Sequence, residues 1–350
     1  MRHVQVIVVL LCVASGGTAW AGPVVREASG PTPASIQAVV DQFRADLGPN
    51  NGVTPGSQPG GRREINWDGG GAGAPPLVEG PTVTRFVPRG ATFATIGSGF
   101  ETSGAPLAEF GDIEPSYSAI FAPFSPPRLF IALNTNVMDV TFSVPGNGTV
   151  RAGVNGFGVV FTDVDSPTST RLQFFAPDGS LLLDRAVLAA AGDETQSFLG
   201  VSFNAGEVVG RVRIVTGNAA LGPAADSPVD LVAMDDFIYG EPAPTDGLVI
   251  SPQSGTTFQI GGFDLVVGVD AGTTPLTSGR LTFDGLDVTE GLIACFRPGL
   301  LRRGGETFSC QVPRGLLTEG EHVLRVDVTF ADGSSRRNAV RWHVIGAPQY

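Results

Sequence analysis

Residues 137–162 read VMDVTFSVPGNGTVRAGVNGFGVVFT, and this stretch decides the fold class. Two short runs rich in β-branched and aromatic residues, Val137–Val144 and Phe157–Thr162, predict β-strands. The tetrapeptide Pro145-Gly146-Asn147-Gly148, which follows the first run, is a typical turn signal. This part of the chain is therefore expected to fold as β-structure.

The same pattern of short apolar runs and turn signals continues from Thr82 to Glu241. No helical crossover separates the runs, so the strands should pair antiparallel. About nine strands predict a jelly-roll-like antiparallel sandwich, and an all-β fold class. The predicted strands are Ala91–Ile96, Arg128–Leu133, Val137–Val144, Phe157–Thr162, Arg171–Phe175, Leu181–Leu183, Ser197–Phe203, Val208–Val215 and Leu231–Tyr239.

Residues 22–81 are predicted to form a leader with one amphipathic helix and a glycine-rich loop. Small and polar residues make up Gly22–Pro33. The helix ends at Gly48-Pro49, and it either docks on the sandwich or binds a partner. Its apolar face consists of Ile36, Val39, Val40, Phe43 and Leu47.

A second domain follows a proline-rich linker at residues 242–247. Residues 248–346 contain seven or eight short apolar runs in about 100 residues, which favours an Ig-like sandwich. Apolar and polar residues alternate over residues 324–330, as in a strand with one buried face. The mature chain should therefore have two β-domains.

The first 21 residues predict export. Arg2 begins a short basic head, Val4–Ala14 is apolar, and Ala19-Trp20-Ala21 matches the cleavage pattern of a signal peptide. The apolar run is about half the length that spans a bilayer. We expect a mature protein that starts near Gly22, is secreted (with the periplasm as the alternative) and has no membrane insertion after cleavage.

Charge excludes several classes of function. The formal net charge is -12, and every one of the 22 basic side chains is an arginine. Such an acidic chain repels the phosphate backbone, so nucleic acid is not an expected partner. The absence of lysine excludes Schiff-base chemistry and P-loop phosphate binding.

Two cysteines, Cys295 and Cys310, remain after the signal peptide is removed. In an oxidising compartment such a pair predicts one disulfide. The alternatives are two buried free thiols or a metal-binding pair. The spacing is not C-x-x-C, which argues against a metal.

Two resemblances agree with this organisation. Ile250-Ser251-Pro252 and Leu317–Val326 resemble bacterial Ig-like modules of secreted surface proteins. The first domain resembles uncharacterised bacterial exported proteins with jelly-roll domains of the galactose-binding or lectin type. This second resemblance rests on Gly61–Gly69, Gly156–Asp165, Phe198–Phe203 and Met234–Gly240. It implies a fold and a compartment and supplies no activity.

The sequence contains few arrangements of residues that could support catalysis. Outside the signal peptide the only histidines are His322 and His343, both in the Ig-like domain, so the first domain cannot form a Ser-His-Asp or Cys-His site. We expect His322 to be structural and His343 to face solvent. A carboxylate pair, as in glycoside hydrolysis, is the remaining catalytic arrangement.

Four acids form the candidate metal site: Asp163, Asp165, Asp235 and Asp236. Calcium binds several hard oxygens, and acid pairs on an exported sandwich are suitable donors. Asp235 and Asp236 are adjacent in a predicted strand and should point to opposite faces. The alternatives to calcium are an ion pair with an arginine such as Arg211 or Arg213, or simple exposure.

The sequence thus predicts a secreted, non-catalytic binding or adhesion protein. The expected partner is an extracellular carbohydrate or another cell-envelope polymer. Alternatives are a carboxylate-dependent glycan-cleaving enzyme and a purely structural surface component. Aromatic residues between 100 and 130 either line a ligand groove or belong to the core.

Overall fold

A computed structural model of the chain describes residues 22–105, 109–204, 206–222, 229–245, 248–251, 257–259, 263–269, 276–289, 297–300, 306–312 and 318–345. Strands account for 47% and helices for 9% of the structure, so the fold is all-β. Among these residues no helix is long and apolar enough to cross a bilayer. The predicted signal peptide lies outside them.

The first sandwich contains one α-helix, α1, at Pro33–Leu47 and two short 3-10 helices, at Val87–Arg89 and Pro115–Ala119. Its strands are β1 Val24–Gly30, β2 Arg62–Ile65, β3 Leu77–Glu79, β4 Thr82–Val83, β5 Ala91–Thr95, β6 Gly99–Thr102, β7 Phe130–Leu133, β8 Val137–Val144, β9 Asn147–Gly153, β10 Gly156–Thr162, β11 Arg171–Phe175, β12 Leu181–Ala186, β13 Gln196–Ser202, β14 Arg211–Val215, β15 Ala233–Gly240 and β16 Ala243–Pro244.

These strands form two sheets that enclose one core. The sheet that we call the helix-side sheet has the order β1-β13-β10-β15-β7-β6-β3, with β2 also paired to β15. The groove-side sheet has the order β12-β11-β14-β8-β5-β4, with β9 paired to β8 and β16 to β9. The registered pairs between these strands are antiparallel, as the sequence predicts.

The leader predicted over residues 22–33 is instead largely a strand. Residues Val24 to Gly30 pair with Ser202 to Gln196, which places β1 at the edge of the helix-side sheet. Its side chains are all half-buried, so the segment lacks the apolar alternation that identifies a strand from sequence. The pairing partner, far along the chain, determines the structure of this segment.

Trp67 anchors the segment between the glycine-rich loops. Its ring is buried in the core and stacks on Phe130 at 3.6 Å between centroids. Its indole N–H donates to the backbone carbonyl of Asp235 at 2.9 Å. This segment therefore lies against the body of the protein.

The helix α1 docks on the outer face of the helix-side sheet, the first of the two predicted alternatives. The ring of Phe43 lies over Gly158 and Gly200, which are paired across β10 and β13. A Cβ atom on Gly200 would lie 2.8 Å from that ring, so glycine is required for this close approach. Ile36, Val40 and Leu47 are buried beside Phe43.

Residues 109–125 cover more of the same face. Phe110, Tyr117 and Phe121 pack in a buried cluster with Leu129 and Ile131 of the sheet. The aromatic residues between 100 and 130 are thus core residues, and the groove alternative for them is wrong.

The second domain, for which the sequence predicts an Ig-like fold, has two sheets, with orders β17-β19-β23-β22 and β18-β25-β24-β20-β21. The alternation predicted over residues 324–330 is observed, with the even-numbered residues buried. The strands are β17 Leu248–Ser251, β18 Thr257–Gln259, β19 Phe263–Val269, β20 Leu276–Phe283, β21 Leu286–Asp287, β22 Arg297–Leu300, β23 Glu306–Val312, β24 Gly320–Phe330 and β25 Ser335–Ile345.

Both histidine predictions for this domain are confirmed. His322 is buried, and its ring nitrogens lie 2.7 Å from Asp284 Oδ2 and 2.9 Å from the Thr318 carbonyl. His343 is exposed. Cys310 lies in β23, and Cys295 is outside the described residues, so the disulfide stays a prediction.

Candidate functional site

The first predicted acid pair follows β10. Asp163 is fully buried and has a φ of 68°, so the alternation of the strand does not continue past it. Asp165 accepts a hydrogen bond from Gly192 N–H at 2.9 Å. Its own N–H donates to Asp230 at 3.0 Å, and Asp230 also binds the Ser169 hydroxyl. Asp230, which the sequence analysis did not single out, thus holds the segment after β10.

The second pair occupies a β-bulge. Val159 pairs with Phe237 and Phe161 with Met234, so both Asp235 and Asp236 stand opposite the single residue Val160. The extra residue cancels the alternation, and the prediction that these acids point to opposite faces is therefore wrong.

Both carboxylates turn toward Ser125. The Oγ atom of Ser125 lies 3.1 Å from Asp235 and 2.6 Å from Asp236, and its N–H donates to Asp235 at 2.8 Å. Burial raises the pKa of Asp235 well above its ordinary value, and the neighbouring Asp236 adds to this. The two acids form a buried, hydrogen-bonded pair whose charge is disfavoured.

Asp236 has an arginine partner, although not one of those predicted. The guanidinium of Arg44 in α1 donates to Asp236 at 2.7 Å. Arg211 and Arg213 instead share Asp139 on the groove-side sheet. Of the alternatives for Asp236, the structure favours the ion pair.

The two acid pairs lie at different points along the β10–β15 pairing. Thr162, just before Asp163, pairs with Ala233, whereas the bulge stands opposite Val160. Within the described part of the chain, no group of three or more His, Cys, Asp or Glu side chains is arranged to hold a metal ion. Calcium binding by these acids therefore remains a hypothesis.

A different surface has the geometry of a ligand site. On the outer face of the groove-side sheet, adjacent strands place Thr92, Thr141, Arg211 and Phe175 in one row of paired residues. Thr141 is exposed, and Arg211 keeps 28% of its side chain exposed. The outer face of the other sheet carries α1 and residues 109–125.

A cavity of about 480 Å³, which we call the groove, lies at this row. Its volume is within the range of about 300–1,000 Å³ that is typical of small-ligand sites. Its polar lining comprises four hydroxyl side chains and two guanidinium groups. These belong to Thr92, Thr141, Ser143, Thr245, Arg151 and Arg211.

Ser143 is a buried residue of the groove lining. Its side chain is only 6% exposed, and its Oγ atom makes no hydrogen bond with any described residue. A buried hydroxyl without a partner costs free energy, and this oxygen lies beneath the surface that a ligand in the groove would touch.

Arg211 is held in place from two sides. Its Nη1 donates to Asp139 at 3.0 Å, and its guanidinium carbon lies 3.8 Å from the centroid of Phe175. Arg213 binds the same carboxylate through two hydrogen bonds, of 2.9 and 3.0 Å. The orientation of Arg211 is therefore fixed before any ligand arrives.

No family model matches the sequence, and no curated protein matches it significantly. Among solved structures, the endo-β-1,4-mannanase from Thermotoga petrophila is similar over 29% of this chain and 20% of its own, at 15% identity and a TM-score of 0.23. The chain thus spans about a fifth of the mannanase. Fibronectin(III)-like modules of Clostridium thermocellum CbhA match 29% of this chain and 99% of theirs, at 12% identity and a TM-score of 0.20.

A β-1,2-glucanase from Parabacteroides distasonis matches 86% of this chain and 39% of its own, at 8% identity and a TM-score of 0.21. Scores this low carry no argument about function.

Proposed function

We propose that this protein is exported and binds carbohydrate, as a free glycan or a cell-envelope polymer, in the groove of its first sandwich. The observation that carries the proposal is the cavity of about 480 Å³ lined by hydroxyl and guanidinium groups. The predicted signal peptide at residues 1–21 supports the extracellular setting.

The chemistry of the groove suits a polyhydroxylated ligand. Hydroxyl side chains donate and accept hydrogen bonds, and arginine donates in a fixed plane. Thr92 and Thr141 stand side by side on paired strands, and Ser143 lies two residues farther along β8. A sugar ring in this place would hydrogen-bond to the two threonine hydroxyl groups along the row.

The positions of the carboxylates support binding of the glycan without cleavage. Glycoside hydrolysis in most families needs two carboxyl groups that flank the scissile bond. The described lining of the groove contains no Asp or Glu. Asp235 and Asp236, which do lie together, are buried under Ser125 on the helix-side sheet.

Affinity gel electrophoresis against a panel of soluble polysaccharides tests the proposal, with a reducing-sugar assay on the same mixtures. We expect at least one polysaccharide to retard the protein, with no new reducing ends. Release of reducing ends would contradict a non-catalytic role. Migration that no polysaccharide changes would contradict carbohydrate binding and favour a structural surface component.

A further inference from the structure

The described lining of the groove is basic, whereas the chain as a whole is acidic. The sequence has 34 acidic against 22 basic side chains. The described lining of the groove contains two arginines, Arg151 and Arg211, and no carboxylate. A local excess of positive charge in an acidic protein concentrates anions at that place and repels them elsewhere.

Two described acids beside the groove, Asp139 and Asp178, already have hydrogen-bond partners. Asp139 is shared by Arg211 and Arg213, so one negative charge stands against two positive charges. Asp178 lies between two lining residues, Pro177 and Gly179, and its carboxylate accepts hydrogen bonds from the N–H and the hydroxyl of Ser180. Among the described charged groups at and beside the groove, Arg151, Arg211 and Arg213 stand against Asp139 and Asp178.

We propose that the groove binds an acidic sugar, whose carboxylate or sulfate group is held by Arg211 and Arg151 while its hydroxyl groups bind Thr92 and Thr141. This inference rests on the proposed function and narrows it to one class of ligand. A guanidinium group can donate two parallel hydrogen bonds to two oxygen atoms of a carboxylate or sulfate group. Arg211, stacked on Phe175, donates in an orientation that is fixed in advance.

Two matched pairs of polymers distinguish recognition of the negative charge from recognition of the sugar itself. Polygalacturonate is compared with its methyl ester, and dextran sulfate with dextran. Polyglutamate serves as an anion without sugar. We expect tighter binding to the acidic member of at least one pair, and the pair that responds distinguishes carboxylate from sulfate recognition. Binding should weaken as salt increases, since the contact is ionic.

Variants of the two arginines locate the contact. Arg211→Gln and Arg151→Gln should each weaken binding of the acidic polymer about tenfold, which corresponds to about 1.4 kcal/mol. The control is Arg171→Gln on the same sheet face, because Arg171 pairs with Asp184 and does not line the groove. The dissociation constant of the control variant should lie within about twofold of the wild-type value, which corresponds to a change of about 0.4 kcal/mol in binding free energy.

The outcomes separate this inference from the proposed function. Equal binding of the neutral and acidic members would overturn the acidic-sugar inference and leave carbohydrate binding intact. Polyglutamate that binds as tightly as the acidic polysaccharides would also overturn the acidic-sugar inference. A loss of affinity in Arg171→Gln as large as that in Arg211→Gln and Arg151→Gln would overturn it as well. If none of these polymers and no other polysaccharide binds, both proposals fail.

Discussion

The guanidinium carbon of Arg211 lies 3.8 Å from the centroid of the Phe175 ring, across the paired strands β14 and β11. This contact orients the arginine beside the groove. Cation–π contacts at partly exposed sites contribute about 0.5–1 kcal/mol. Phe175→Leu should therefore lower stability by no more than about 1 kcal/mol, and it should weaken binding of the acidic polymer because Arg211 loses its support.

Thermal melts and a binding titration of Phe175→Leu check this. Val78→Ala, at an exposed apolar position of β3 in the helix-side sheet, is the control. Unchanged affinity in Phe175→Leu would show that the stacking does not prepare Arg211 for a ligand.

The docking of α1 depends on the paired glycines under Phe43. Gly200→Val should force the Phe43 ring away from the sheet, at a cost of about 1–3 kcal/mol for overpacking. Hydrogen exchange over residues 33–47 should become faster in this variant. Gly73→Val is the control, because a Cβ atom at Gly73 meets nothing within 4 Å. Unaltered exchange in Gly200→Val would contradict the close contact.

Buried carboxyl groups predict a stability that falls as pH rises. Burial raises the pKa of Glu101 to about 7, with Asp112 adding to the effect, and burial raises that of Asp68 to about 6. Each group is more easily protonated in the folded chain than in the unfolded one. The stability that each protonated carboxyl group contributes to the folded chain is therefore fully present below about pH 4. It is lost as the pH rises through about 6 to 7.

We expect the melting temperature of the full chain to be lower at pH 8 than at pH 5. Glu101→Gln, which removes the charge and keeps the shape, should narrow that difference. Asp193→Asn, at an exposed position, should leave it unchanged. A wild-type melting temperature that rises from pH 5 to pH 8 would contradict the burial of these acids.

The calcium hypothesis and the Arg44–Asp236 ion pair predict a different dependence of stability on calcium. If the acids hold calcium, adding the ion at 100 times its dissociation constant should stabilise the first sandwich by about 2.7 kcal/mol. If Asp236 is held by Arg44, Arg44→Gln should destabilise the chain equally with calcium and with chelator. Melting curves of wild type and variant in both conditions decide between the two. Coincident wild-type curves would remove the calcium hypothesis.

The fold class followed from the sequence, whereas the sites depended on strand pairing. The apolar runs and the turn at residues 145–148 were sufficient to predict an antiparallel sandwich. The bulge at Asp235-Asp236 was not visible, because it is created by the register with Val160 in β10. A bulge reverses the face of one side chain without leaving a mark in the local pattern.

The groove was missed for a related reason. The polar face of β14 was evident at Arg211 and Arg213, but one strand shows only which residues point outward. Thr141 and Thr92 become neighbours of Arg211 through the pairing of β14, β8 and β5. The sequence predicts that the strands are antiparallel, but it does not give their pairing register. Without the register these residues cannot be placed in one row.

The most direct test of the central claim is a titration of three proteins with the polysaccharide that binds wild type most tightly. Thr141→Trp fills the groove from an exposed position of β8, and Thr82→Trp places the same side chain at an exposed position of β4 that does not line it. All three should melt at similar temperatures. We predict that Thr141→Trp loses binding and that Thr82→Trp keeps wild-type affinity. Full affinity in a folded Thr141→Trp variant would contradict a binding site in the groove.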